Sequence, residues 1–170
     1  MNHSRTIFAL LAVAALSATI SSATANDRHE RQEVVRAFLL GVNETPSIST
    51  PAIGRFKAVI DEDSSLITFT LSYEGLTTPP AVAHIHFGER HVAGGVMVFL
   101  CGGGGQPACP ASPAEITGSI TVANVVGPSA QGITAGQFDK VLAAIRSGAS
   151  YANVHTTNFP AGEIRGQVTR

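Results

Sequence analysis

Two short runs of alternating apolar and polar residues constrain the fold of this chain more than any other feature. They cover residues 54–60 and residues 66–73, and the acidic stretch 61–64 separates them. The apolar positions are Phe56, Ala58 and Ile60 in the first run and Ile67, Phe69 and Leu71 in the second. A period of two is typical of half-buried strands. The runs therefore predict an antiparallel hairpin with one face in a core.

Further short apolar runs, rich in β-branched and aromatic residues and separated by turns rich in Gly and Pro, recur along the chain. Strands are predicted at residues 34–42, 83–88, 96–100, 116–126, 151–156 and 163–168. Seven or eight short strands of this kind indicate an all-β fold. We expect an antiparallel Greek-key β-sandwich or barrel, with one covering α-helix.

The helix is predicted over residues 136–147. Thr134 and Gln137 have the spacing of a capping box, and Gly148 is suited to end the helix. Its apolar stripe consists of Phe138, Val141, Leu142 and Ile145. Such a stripe predicts a helix that covers an edge or an end of the sheet.

The N-terminus has the pattern of an export signal. Arg5 precedes an apolar run over residues 7–20, and Ala-Thr-Ala at 23–25 matches a signal-peptidase site. We expect a signal peptide at 1–25, a polar leader at 26–33 and one domain at 34–170. The mature chain is expected to be exported, either periplasmic or secreted, without a membrane span.

Cys101 and Cys109 are the two cysteines of the chain, and the segment between them is rich in glycine. An even number of cysteines in an exported protein predicts a disulfide. A redox pair is the less favoured interpretation, because the spacing is not that of a Cys-x-x-Cys motif.

The charge pattern and the missing motifs argue against several functions. The 170-residue chain has a formal net charge of −1 and no run of Lys or Arg, which gives nucleic acid no electrostatic basis for binding. No phosphate-binding loop, dinucleotide fingerprint or nucleophile elbow is present. We expect no organic cofactor and do not favour an enzyme. The sequence identifies no protein partner.

Three histidines form the candidate metal site. In a strand, His84 and His86 share the face opposite Ile85, and His155 shares the polar face of its own strand with Asn153. If the two strands are close, three imidazoles converge on one outer surface. Imidazole suits copper and zinc, and three histidines leave a coordination position open.

Asn153, Glu163 and Arg165 are candidates for orienting the ligands or steering an anion to the metal. For Glu163 and Arg165 we favour a simpler interpretation, an ion pair on one sheet face. For the histidines the alternative is a hydrogen-bonded structural group. His91 is interpreted as a loop residue.

Four motifs resemble the CHRD domain, a module named after chordin that also occurs alone in exported bacterial proteins. They are FLLGVNETP at 38–46, AHIHFG at 83–88, YANVHT at 151–156 and GEIRGQ at 162–167. The resemblance covers nearly the whole mature chain and implies little about function. Chordin binds growth-factor ligands, but nothing in this sequence indicates such a partner.

A weaker resemblance is to copper/zinc superoxide dismutase, which has a Greek-key sandwich, a His-x-His strand and a late Val-His pair. It implies copper ligation by His84, His86 and His155, and Arg165 matches the arginine near the copper. The bridging histidine and the zinc aspartate have no clear counterpart. Three functions follow: an exported metal-binding domain with copper favoured over zinc, a non-catalytic binding or adhesion module, and a dismutase-like copper enzyme.

Overall fold

The computed structural model describes residues 32–170, and these residues form eight β-strands and one α-helix. The predicted signal peptide and nearly all of the predicted leader lie outside the described residues. The strands are β1 (Glu33–Leu40), β2 (Ile53–Asp61), β3 (Leu66–Glu74), β4 (Pro80–Phe87), β5 (Gly95–Cys101), β6 (Ala114–Ile120), β7 (Ser150–Thr156) and β8 (Ile164–Gln167). The helix is α1 (Phe138–Arg146).

All strand pairs are antiparallel, and the sheet order is β5-β4-β7-β8-β1-β2-β3-β6. The chain beyond β6 returns to β5, where Val125 forms a bridge with Val98. This contact brings the two outer strands together and nearly closes the sheet into a barrel. The connections from β3 to β4 and from β6 to β7 cross over between non-neighbouring strands, as in a Greek key. The predicted fold class is confirmed.

The hairpin predicted from alternation is the pair β2–β3, which is in register from Ile53 opposite Glu74 to Asp61 opposite Leu66. Its alternate apolar side chains are buried in the core of the barrel. The Phe56 and Phe69 rings stack with their centroids 6.2 Å apart. The acidic residues between the strands form the predicted turn.

The predicted apolar stripe of α1 is buried, but the helix begins at Phe138 and not at residue 136. Gln137 forms only half of the predicted capping box: its side-chain Oε1 accepts a hydrogen bond from the Thr134 backbone N–H at 2.8 Å. The N–H of Gly136, at a φ of +81°, donates instead to Val125 O. Residues 134–137 therefore form a turn, and the first helical residue comes after it. Gly148, at a φ of +75°, follows the helix as predicted.

Two strands end before their predicted limits because short 3-10 turns follow them. β1 ends at Leu40, and Gly41–Asn43 forms the turn. A Cβ at Gly41 would collide with the Ile48 backbone oxygen, so only glycine fits this approach. β6 ends at Ile120. At its other end, β1 begins at Glu33.

The predicted disulfide between Cys101 and Cys109 is formed, and it closes a glycine-rich loop directly after β5. Within residues 32–170, no helix has both the length and the apolar character needed to cross a membrane.

Candidate metal centre

The neighbouring strands β4 and β7 position the three predicted histidines. Their antiparallel register places His84 opposite Asn153 and Val82 opposite His155. Ile85 and Val154 are fully buried on the core side of these strands. Because side chains alternate along a strand, the imidazoles project from the other side of the sheet.

The histidines meet as the sequence predicts. One ring nitrogen from each of His84, His86 and His155 lies within 4.8 Å of the other two. The closest approach is 3.2 Å, between His84 Nδ1 and His155 Nε2. Among the residues that the structure describes, this is the one group of three or more His, Cys, Asp or Glu side chains that could hold a metal ion.

Backbone carbonyls determine which nitrogen is available on two of the rings. His86 Nδ1 donates to Gly94 O at 2.9 Å, and His155 Nδ1 donates to Pro160 O at 2.9 Å. A carbonyl oxygen only accepts, so Nδ1 carries the proton in both rings and Nε2 keeps the lone pair. His86 Nε2 is buried and has no hydrogen-bond partner in the described part of the chain. Both Nε2 atoms are thus prepared as ligands.

The site is more enclosed than the outer surface that the strand pattern predicts. His84 and His86 are each 7% exposed, whereas His155 is partly exposed. The Phe99 ring packs edge-on against His84 at 4.6 Å, and the Tyr151 ring stacks on His86 at 4.7 Å. These two aromatic rings cover the imidazoles. Alternation places Tyr151 on the same face of β7 as His155, but it could not indicate Phe99, which belongs to β5.

Burial holds the histidines in the neutral form that a metal requires. Burial, together with the neighbouring imidazoles of His155 and His86, lowers the pKa of His84 to about 3. It lowers the pKa of His86 to about 4 and also lowers the pKa of His155. At neutral pH each ring is therefore neutral and keeps one nitrogen lone pair for a metal.

The spacing of the nitrogens suits a metal with short bonds. Two nitrogens at 2.0–2.1 Å from one tetrahedral ion are roughly 3.3–3.4 Å apart. The 3.2 Å between His84 Nδ1 and His155 Nε2 is close to this value. Without metal, His84 Nδ1–H is the donor that the His155 lone pair can accept. Ligation through Nδ1 would require His84 to carry its proton on Nε2 instead.

Comparison with protein-family models identifies the domain that carries this cluster. The model of the CHRD domain matches residues 35–168. The chain belongs to the CHRD domain family. No curated protein and no solved structure gives a significant match. The histidine cluster, the disulfide and the helix all lie within the matched CHRD domain.

In this CHRD domain, two of the residues predicted to support the ligands are bound elsewhere. Asn153 Nδ2 donates to Glu44 Oε1 and, at 3.4 Å, to Ile164 O. Glu163 is fully buried. Its carboxylate accepts from the hydroxyls of Thr50, Thr77 and Thr156 and from the Thr77 backbone N–H. The backbone carbonyls, and not these side chains, orient the imidazoles of His86 and His155.

Arg165 lies near the centre but does not form the expected ion pair with Glu163. Its guanidinium sits 3.4 Å from the centroid of the Tyr151 ring and donates to Glu89 O at 2.7 Å and Val92 O at 3.0 Å. The two side chains separate because Glu163 is held by threonines and Arg165 by the loop after β4. Arg165 stacks on the Tyr151 ring that lies against His86, and its positive charge helps to lower the pKa of His86 after burial.

Glu44, which lies in the motif at 38–46, is a buried acid beside Asn153. It is 6% exposed, and burial raises its pKa to about 7, although Arg165 and hydrogen bonds from Thr45 and Asn153 oppose the shift. Its hydrogen-bond partner Asn153 is 109 residues away in sequence. No local pattern could have indicated this contact, because it depends on the approach of β7 to the turn after β1.

Proposed function

We propose that this CHRD domain binds one transition-metal ion, with copper favoured, through His84 Nδ1, His86 Nε2 and His155 Nε2. The observation that carries the proposal is the buried Nε2 of His86, which has no partner among the described residues and faces two further ring nitrogens. A buried polar atom without a partner is costly, and a metal bond would remove that cost.

The donor set supports copper. All three donors are imidazole nitrogens, without carboxylate or thiolate, and this disfavours magnesium and calcium, which prefer oxygen ligands. Among first-row divalent metals, copper binds nitrogen ligands most strongly. Zinc is the second choice, since it accepts three histidines and an open position.

Export is the second part of the proposal. The Cys101–Cys109 disulfide is typical of an oxidising compartment, and CHRD domains are extracellular modules. The signal pattern at residues 1–25 supports the same destination. The protein would then handle metal in the periplasm or outside the cell.

Metal analysis and titration test the proposal directly. Residues 26–170, purified without a histidine tag, are expected to bind one copper ion per chain. His84→Ala and His155→Ala should each lower the copper affinity at least about tenfold. His91→Ala is the matched control, because His91 is exposed and outside the cluster.

Circular dichroism and thermal unfolding verify that each variant is folded before its affinity is compared. Equal affinity in the wild type and all three variants would show that the imidazoles are structural, and a non-catalytic binding module would become the better description. Superoxide turnover by the copper-loaded protein separates a metal-binding domain from a dismutase-like enzyme.

A further inference from the structure

Four cationic side chains meet in one groove on the outer face of β1 and β2. They are Arg36, Arg55, Lys57 and Arg90, and all four are exposed. The groove has a volume of about 660 Å³, and among residues 32–170 no acidic residue lines it. We call it the basic groove. No run of Lys or Arg in the sequence indicates it, because three separate segments supply its charges.

Among the described residues, the cations of the basic groove differ from the others in their partners. None of the four has an ion pair or a side-chain hydrogen bond within residues 32–170. The cations outside the groove are all engaged: Lys140 with Gly132 O, Arg146 with Glu33 and Glu62, Arg170 with Glu33, and Arg165 with backbone carbonyls. Unpaired positive charge is therefore concentrated in one place on a chain whose net charge is −1.

The strand register adds a second observation. Arg36 lies directly opposite Lys57 in the β1–β2 pair, and Phe38 lies opposite Arg55. Like charges at directly opposed positions destabilise a sheet. The barrel does not need this pairing, since β1 and β2 are held by the apolar side chains on their other face. A bound anion would offset the repulsion.

We propose that the basic groove binds an acidic segment of a partner protein. Arginine, which supplies three of the four cations, matches the two oxygens of a carboxylate with its planar fork. Phe38 is 46% exposed in the groove, and the Arg55 guanidinium lies 5.1 Å from its ring centroid. Arginine and exposed aromatic residues together are characteristic of protein interfaces. This proposal does not depend on the metal centre.

Binding of a labelled octaglutamate peptide at low ionic strength tests the proposal. The wild type is expected to bind, and added salt should weaken the complex because exposed charges are screened. The double variant Arg36→Gln/Lys57→Gln should bind about tenfold more weakly. Its urea midpoint should equal or exceed that of the wild type, because the like-charge pair is removed.

The double variant Lys140→Gln/Arg170→Gln is the matched control, because it removes the same charge outside the groove. It should change peptide affinity less than about twofold. An equal loss in both double variants, or no binding by the wild type, would overturn the proposal. Binding of alginate without binding of octaglutamate would also overturn it, and would indicate an acidic polysaccharide in place of a protein partner.

Discussion

Within the rings of His86 and His155, the two nitrogens Nδ1 and Nε2 have different roles. In each ring Nδ1 is held by a backbone carbonyl, so that Nε2 is left for a ligand. A carboxylate in that position would add negative charge to the site. The carbonyls of Gly94 and Pro160 orient the rings without adding a charge. The three-histidine centre is therefore neutral when its imidazoles are neutral.

The buried histidines predict that acid destabilises the metal-free protein. Their pKa values of about 3 for His84 and about 4 for His86 lie below the unfolded value of about 6.5. Between pH 6.5 and 4 the unfolded chain binds more protons, so the free energy of unfolding falls as the pH falls. Each histidine contributes up to about 1.4 kcal/mol per pH unit in this window.

Glu44 opposes this effect, because its folded pKa of about 7 lies above its ordinary value of 4.5 and its contribution grows as the pH falls. Two histidines have a larger combined effect than one glutamate, so the free energy of unfolding should still fall as the pH falls. Urea unfolding of metal-free protein at pH 7.5, 6.0 and 5.0 measures this fall. Glu44→Gln, as the control, should steepen the fall. Stability that is constant or increases toward pH 5 would contradict the prediction.

Glu163 predicts a large local effect on stability. Its two oxygens accept four hydrogen bonds from threonine donors in a fully buried position. Glu163→Gln replaces one acceptor oxygen with an amide donor that faces these donors. We expect a loss of about 2–3 kcal/mol in the free energy of unfolding. Urea denaturation measures the loss, and Glu115→Gln on the exposed side of β6 should leave stability within about 0.5 kcal/mol.

At the scale of elements, the period-two runs were sufficient to predict the β2–β3 hairpin, whereas β5 was predicted from a run that is apolar throughout. Alternation identifies a strand because it places one face in the core. In the β2–β3 hairpin, the predicted apolar positions are all buried. The start of α1 was predicted two residues early, because Gly136 has a φ of +81°, outside the α-helical region, while its N–H bonds to the distant Val125 O. Local patterns cannot show which remote carbonyl a turn residue will meet.

The candidate site also has parts that local sequence patterns predict and parts that depend on remote contacts. The faces of β4 and β7 follow from alternation, so the meeting of three histidines was predictable once the strands were neighbours. Their enclosure was not predictable, since Phe99 comes from β5 and the carbonyl of Pro160 from a loop. The Phe99 contact depends on the pairing of β5 with β4, and the Pro160 contact depends on how the loop after β7 folds back.

The disulfide loop predicts a link between redox state and metal exchange. Gly103 and Gly104 lie so close to Phe99 that a Cβ on either residue would collide with its ring, and that ring covers His84. Opening the loop should therefore loosen the cover of the metal centre. We expect reduction of the disulfide to accelerate copper transfer to a chelator several-fold.

Stopped-flow transfer to a chelator measures this rate in oxidised and reduced protein. The double variant Cys101→Ser/Cys109→Ser should be fast with and without reductant, which controls for effects of the reductant on copper. Thiol titration of the unreduced, denatured wild type should find no free thiol. An identical rate in all samples would show that the loop does not control access.

For the whole molecule, copper is expected to stabilise the fold. The proposed ligands His84 and His155 are 71 residues apart in sequence, so the complete site exists only in the folded state. Copper at a free concentration of 100 times its Kd should add about 2.7 kcal/mol to the free energy of unfolding. Thermal unfolding with and without copper measures the effect, and His84→Ala with His155→Ala should abolish it. If copper stabilised this double variant as much as the wild type, the copper would have to bind elsewhere.

The order of the strands along the chain means that the three-histidine cluster is complete only after β7 has paired with β4. His84 and His86 belong to β4, whereas the third imidazole arrives with β7, near the end of the chain and after two crossovers. A chain that stops before β7, or in which β7 fails to pair with β4, retains a His-x-His pair and lacks the third ligand. Such a chain would exchange its metal readily, and tightly held copper would mark the molecules that had finished folding.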